Sequence, residues 1–231
     1  MNGSKSFLLL CLVFFLAFGM ALSVRPAQSG VAGKGMSPDQ SLQLLLEGNK
    51  RFVESKLQAC SENMDKKRRE LQKGQRPHAV VLSCSDSRVP PEIIFDQGLG
   101  EIFVVRVAGN IADPAVLGSI EYAVGHLGTS LVMVMGHDEC GAVVSSVESG
   151  SNAEGNIGFI LEQIAPSVRK AKESGKSSKA LIDAAIDNHI EATASSLRRL
   201  SPAIAGMEKS GKVRLVKARY KLGTGEVVIL E

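Results

Sequence analysis

The chain has 231 residues, 44% of them hydrophobic and 22% charged, with a formal net charge of +3. An excess so small, spread so evenly, excludes an electrostatic nucleic-acid binder, and the cluster of basic residues at 66–69 reads as a solvated helix face. No repeat of domain-building length is present.

The amino-terminal segment is set apart from the fold. After Lys5 comes an uncharged apolar run over residues 7–21. It is shorter than the about 20 residues that span a bilayer, and it matches the apolar core of a secretory signal peptide. Ala21 and Ser23, or Ala27 and Ser29, suit a cleavage site. This predicts an exported, periplasmic protein whose single mature domain covers about residues 30–231, a length that one sizeable core can hold. An uncleaved membrane anchor is the rival reading. Cys11 follows Leu10 and lies too early for lipid attachment.

Ser37, Pro38 and Gln40 read as an N-cap serine, a proline in the first turn and a capping-box glutamine. With Leu42, Leu45, Leu46, Phe52 and Val53 at helical spacing, they predict an amphipathic amino-terminal helix over 38–55. A charged helix follows over 60–72. Continuous β-branched and apolar runs at 79–83, 102–108 and 131–135 predict strands covered by helices on both faces. A helix over 114–127 separates the second and third. Two long helices, 154–173 and 178–199, come next, and His189 falls on the apolar face of the second as a core or interface residue. A fourth strand at 213–220 turns through Gly223 and Gly225 into an antiparallel edge strand at 227–230. The predicted fold is α/β: four mostly parallel strands plus that edge strand, flanked by helices, with an amino-terminal helical arm.

The chemistry lies where strands end. Cys84, Asp86 and Arg88 fall just past the first strand and His137 just past the third, at the carboxyl ends where open α/β sheets build their sites. Cys140 and Gly141 begin a short helix reaching about residue 147, whose amino-terminal end predicts a thiolate at Cys140. Two thiolates and an imidazole suit zinc, and three protein ligands leave the fourth tetrahedral position open for water. A disulfide between Cys84 and Cys140 is the other reading of an exported chain. It leaves His137, Asp86 and Arg88 unused. Cys60 reads as a free or partly buried thiol.

These motifs together resemble the β-class carbonic anhydrases. The matching residues are Cys84-Ser-Asp86-Ser-Arg88-Val-Pro90, Phe103-Val-Val-Arg106, Gly109-Asn110, Glu121-Tyr122-Ala123, Gly136-His137 with Cys140-Gly141-Ala142, and the closing Ala218, Tyr220 and Gly225. The resemblance covers nearly all of residues 38–231. It implies zinc, one ion per chain, on Cys84, His137 and Cys140, with Asp86 and Arg88 as the catalytic pair. Asp86 would orient zinc-bound hydroxide toward carbon dioxide, giving bicarbonate and a proton. Zinc-bound water has a pKa of about 7 beside three histidines. Two thiolates leave it less acidic, which makes help from Asp86 reasonable.

The resemblance also implies Gln75 as a substrate donor, Phe103 and Tyr122 as a pocket wall shared with a partner subunit, and Gly141 beside the substrate. It implies a homodimer built by the amino-terminal helices, or a homotetramer. Ala108 stands where plant members carry valine. Val81 stands where some bacterial members carry the tryptophan of a second bicarbonate site, so the switch that brings Asp86 onto zinc as a fourth ligand lacks that site here. Hydrolysis of carbonyl sulfide or carbon disulfide, and a catalytically silent zinc-binding domain, are the competing functions. His78 and His126 are the candidates for carrying the proton away.

Overall fold

In the computed structural model, which describes residues 35–59, 63–150, 153 and 155–231, the helix α1 runs over Pro38–Val53. The segment 7–21, its cleavage sites and Cys60 lie outside the described residues. The capping box forms as its residues dictate: the Ser37 hydroxyl accepts from Gln40 N, and Ser37 N donates back to Gln40 Oε1 at 3.0 Å. Among the described residues, no helix is long and apolar enough to cross a membrane.

The charged helix α2 covers Met64–Leu71 and buries nothing, in keeping with its solvated basic face. The strand β1 (Ala79–Ser83) leads through a short helix α3 (Pro91–Ile94) to β2 (Ile102–Arg106). A 3₁₀ turn at Ala108–Asn110 precedes α4 (Pro114–His126) and β3 (Leu131–His137). Then come α5 (Gly141–Ser149), α6 (Ile157–Glu173), α7 (Ser178–Leu200) and α8 (Pro202–Lys209). The chain closes on β4 (Arg214–Tyr220) and β5 (Val227–Leu230).

The sheet order is β2-β1-β3-β4-β5, with the first four strands parallel and β5 antiparallel to β4. Every residue of β1 and β3 is buried, which explains their unbroken apolar runs. The strand β2 departs from that expectation. It sits at the sheet edge, only Val105 is buried along it, and it ends at Arg106 rather than at Ala108. The strand β3 runs two residues further than its apolar stretch, because Gly136 and His137 still pair with Arg219 and Tyr220 of β4. His137 is therefore the last residue of the strand, not a residue just past it.

Close packing fastens α1 to the sheet. Asn49, 6% exposed, donates to Ile94 O and Gly225 O and accepts from Val227 N, joining α1 to α3 and to the closing hairpin. One residue earlier Gly48 lies against the backbone at Phe95: a Cβ there would sit 1.7 Å from Phe95 O. Backbone cannot rotate aside as a side chain does. Gly48→Ala should therefore cost about 3 kcal/mol, the upper part of the usual range for overpacking, measurable by urea unfolding. An unchanged midpoint would show that α1 is free to shift.

Candidate metal centre

Register brings the site together. Ser83 pairs with Met135, so Cys84 and His137, each one or two residues further on, emerge side by side at the carboxyl ends of β1 and β3. Cys140 is the N-cap of α5, reached by the two-residue bend Asp138–Glu139. The ligand atoms of Cys84, His137 and Cys140 all lie within 4.8 Å of one another, and all three residues are buried.

Each donor is held by backbone. Cys84 Sγ accepts from Asp86 N at 3.4 Å and from Gly109 N at 3.3 Å. His137 Nδ1 lies 2.8 Å from Asp138 O. A carbonyl only accepts, so Nδ1 carries the hydrogen and Nε2 keeps its lone pair. That Nε2 is buried and has no hydrogen-bond partner among the described residues. A buried bare imidazole nitrogen facing two sulfurs is a costly arrangement unless something else binds there. The donor set and the orphaned nitrogen both fit a metal ion.

Cys84 and Cys140 are free thiols, not a disulfide. The two thiols sit together and each shifts the other. Cys140 donates to Cys84, which with the other donors brings the Cys84 thiol down to about 4. Cys140 is pushed up, by its bond to the Cys84 thiolate and then by burial. The N–H groups of Ala142 and Val143 do lower it, as a helix amino terminus should, but they are outweighed by a neighbouring negative charge.

Beside the three donors stands a carboxylate already committed. Asp86 Oδ1 accepts from Arg88 N and Arg88 Nε, each at 2.9 Å, and Oδ2 accepts from Arg88 Nη2 at 2.7 Å. The Arg88 side chain bonding to it, aided by the backbone N–H and charge nearby, holds the Asp86 carboxyl down at about 2 despite partial burial. Oδ2 lies 4.0 Å from His137 Nε2, so the carboxylate borders the cluster. Arg88 also donates to Glu139 O at 3.3 Å, on the bend that carries His137 and Cys140.

Two arginines that sequence reading left without a role complete this frame. Arg106, ending β2, donates to Cys84 O at 3.0 Å and to Asp86 O, fixing the turn on which both sit. Its register partner is Ser83, one residue before Cys84, which was the signal available. Arg219 is 4% exposed and donates to Asp138 Oδ1, Asp183 Oδ1 and Asp187 Oδ1. It pins the residue whose carbonyl orients His137.

The remaining expected site residues are placed as follows. Phe103 and Tyr122 approach each other, ring centroids 6.3 Å apart, and Tyr122 is 47% exposed and stacks on His126. Gln75 is exposed on the loop before β1. Among the described residues, no hydrogen bond or ring contact joins Gln75, Phe103 or Tyr122 to the cluster. Gly141 opens α5 with no atom within 4 Å of where a Cβ would stand. His78 is tied to Gln97 at 2.9 Å.

With this geometry in view, the relatives of the chain are informative. A family model described as carbonic anhydrase matches residues 79–227. Carbonic anhydrase 2 of Mycobacterium tuberculosis is 41% identical over 196 residues, covering 84% of this chain and 93% of its own. Carbonic anhydrase of Pseudomonas aeruginosa is 31% identical over 165 residues, 68% of this chain and 74% of that one. The solved β-carbonic anhydrase of Coccomyxa, in complex with acetazolamide, superposes with a TM-score of 0.68 at 27% identity, over 82% of this chain and 86% of that. The chain belongs to the carbonic anhydrase family, in its β class.

Proposed function

We propose that the chain reversibly hydrates carbon dioxide to bicarbonate and a proton, with one zinc ion held by Cys84, His137 and Cys140. The observation that carries this is the convergence of three soft and borderline donors within 4.8 Å, bordered by a carboxylate that Arg88 holds ionised. Bound zinc supplies a Lewis acid that makes water nucleophilic near neutral pH. The chain's own residues do the rest. Asp86 Oδ2 accepts a hydrogen bond from the attacking water and so aims its lone pair. Arg88 keeps that carboxylate charged and oriented by a bidentate bond, which a surface aspartate would lack. With Arg88 occupying both of its oxygens, Asp86 stands beside the metal position rather than on it.

Gln75, Phe103, Tyr122 and Gly141 are proposed to receive the substrate, the first three as part of a pocket completed by a partner subunit. Exposure of Tyr122, and of Leu44 and Val53 on α1, supports such an assembly. Hydrolysis of carbonyl sulfide would use the same groups. Parallel assays of purified protein on carbon dioxide and carbonyl sulfide test the assignment. Turnover confined to carbonyl sulfide, or to neither gas in zinc-loaded protein, would refute it.

The same proposal extends to location. The run 7–21 is read as a signal peptide that is removed on export to the periplasm. Amino-terminal sequencing of the protein from its host should find a mature terminus beyond residue 21. An intact Met1 on cytoplasmic protein would rule export out.

A further inference from the structure

His189 is 3% exposed in the middle of α7, outside the ligand motif. Its Nε2 lies 2.6 Å from Gly109 O. The carbonyl can only accept, so Nε2 carries the hydrogen and Nδ1 is bare. Nδ1 is buried without a partner among the described residues. Burial holds the ring neutral, although the nearby bond and the Cys84 thiolate act against that. Stability does not explain such a residue, since an apolar side chain would fill α7 without burying an unpaired nitrogen. What the imidazole does is grip one peptide.

Its carbonyl is that of Gly109, and the N–H of the same residue, in the preceding peptide, donates to Cys84 Sγ at 3.3 Å. Gly109 has φ +67, a left-handed conformation suited to glycine. A Cβ there would meet Ile164 Cδ1 at 2.8 Å and Ala142 Cβ at 3.2 Å. The turn is thus wedged between α5 and α6. With Gly109 at φ +67 and ψ +17 the two peptides flanking its Cα are set relative to each other, so holding the carbonyl sets where the N–H points. We propose that His189 is a positioning residue for the metal centre: it locks the Gly109 turn so that its N–H stays on the Cys84 thiolate and moderates the charge that sulfur gives the ion. This rests on the reading of Cys84 as a metal ligand.

Hydrogen bonds to a metal-bound thiolate withdraw charge from sulfur, and outer-shell groups of this kind tune both affinity and spectrum. Two variants separate position from mere bulk. His189→Gln keeps an N–H donor on a side chain of similar reach, and His189→Met removes the donor. Cadmium-113 loaded wild-type protein should show scalar coupling between the metal and the Gly109 amide proton, carried through the N–H···S bond. His189→Gln should retain that coupling and His189→Met should lose it. In the cobalt-substituted protein, the sulfur-to-cobalt absorption of His189→Met should move to longer wavelength, with zinc affinity down about 10-fold, the low end of outer-shell losses. His189→Gln should restore both.

Wild-type coupling absent at Gly109, or equal coupling in wild type and His189→Met, would overturn the role of His189. Should His189→Met not fold, the ring-nitrogen shifts of wild-type His189 decide in its place, and any tautomer but Nε2–H overturns the role. Protein that takes up neither cadmium nor cobalt would instead sink the metal reading beneath it.

Discussion

Asp86→Asn should keep its zinc and lose carbon dioxide hydration by about 10²-fold or more, the usual cost of a positioned acid–base group. Asparagine preserves size but exchanges one acceptor oxygen for a donor and removes the charge facing Arg88. Both carboxylate oxygens now accept from Arg88, and Oδ2 also borders His137 Nε2 at 4.0 Å. Asparagine cannot reproduce that bidentate bond. A carboxyl lowered in the folded protein is ionised above its depressed value and loses its charge only as the pH falls toward about 2. Any acid limb of the rate near neutrality therefore belongs to another group. Arg88→Ala should resemble Asp86→Asn, because an unanchored carboxylate loses its aim. Metal analysis beside stopped-flow hydration checks both. Wild-type activity in Asp86→Asn would end the proposed role, and lost zinc would make Asp86 a ligand in the resting enzyme.

Cys84→Ser and His137→Ala should lose the metal altogether, and with it much of their stability. A ligand that binds only the folded state stabilises it by about 2.7 kcal/mol at a free concentration of about 100 Kd, and structural metal sites contribute more. The cluster is buried, so each substitution also strands the partners left behind: Cys140 against an alcohol in one case, two thiols without the imidazole in the other. Thermal unfolding with and without added zinc should show a zinc-dependent rise in the wild type and none in either variant. Full zinc content in both variants would overturn the ligand assignment.

Much of this was legible in the chain because the signals were local. Ser37, Pro38 and Gln40 announce α1 by hydrogen bonds that span three residues. The runs in β1 and β3 announce fully buried parallel strands, and Cys84 and His137 follow from where those strands end. What escaped was decided at a distance or by competition. The short α3 and α8 each start at a proline, Pro91 and Pro202, and carry too few residues for a periodic pattern. The partial exposure of β2 depends on which strand takes the sheet edge, a matter of topology rather than composition. Arg219 finds Asp183 and Asp187 across more than thirty positions of chain, and His189 finds Gly109 across eighty. The helix terminus that lowers Cys140 is local to it, while the Cys84 thiol that raises it lies far away in the chain.

The most direct test of the zinc hydration site is a metal titration followed by activity. Protein stripped by a chelator should hydrate no carbon dioxide, and hydration should return in proportion to zinc bound, levelling at one ion per chain. Full zinc occupancy at Cys84, His137 and Cys140 with no hydration, or full hydration in stripped protein, would contradict it.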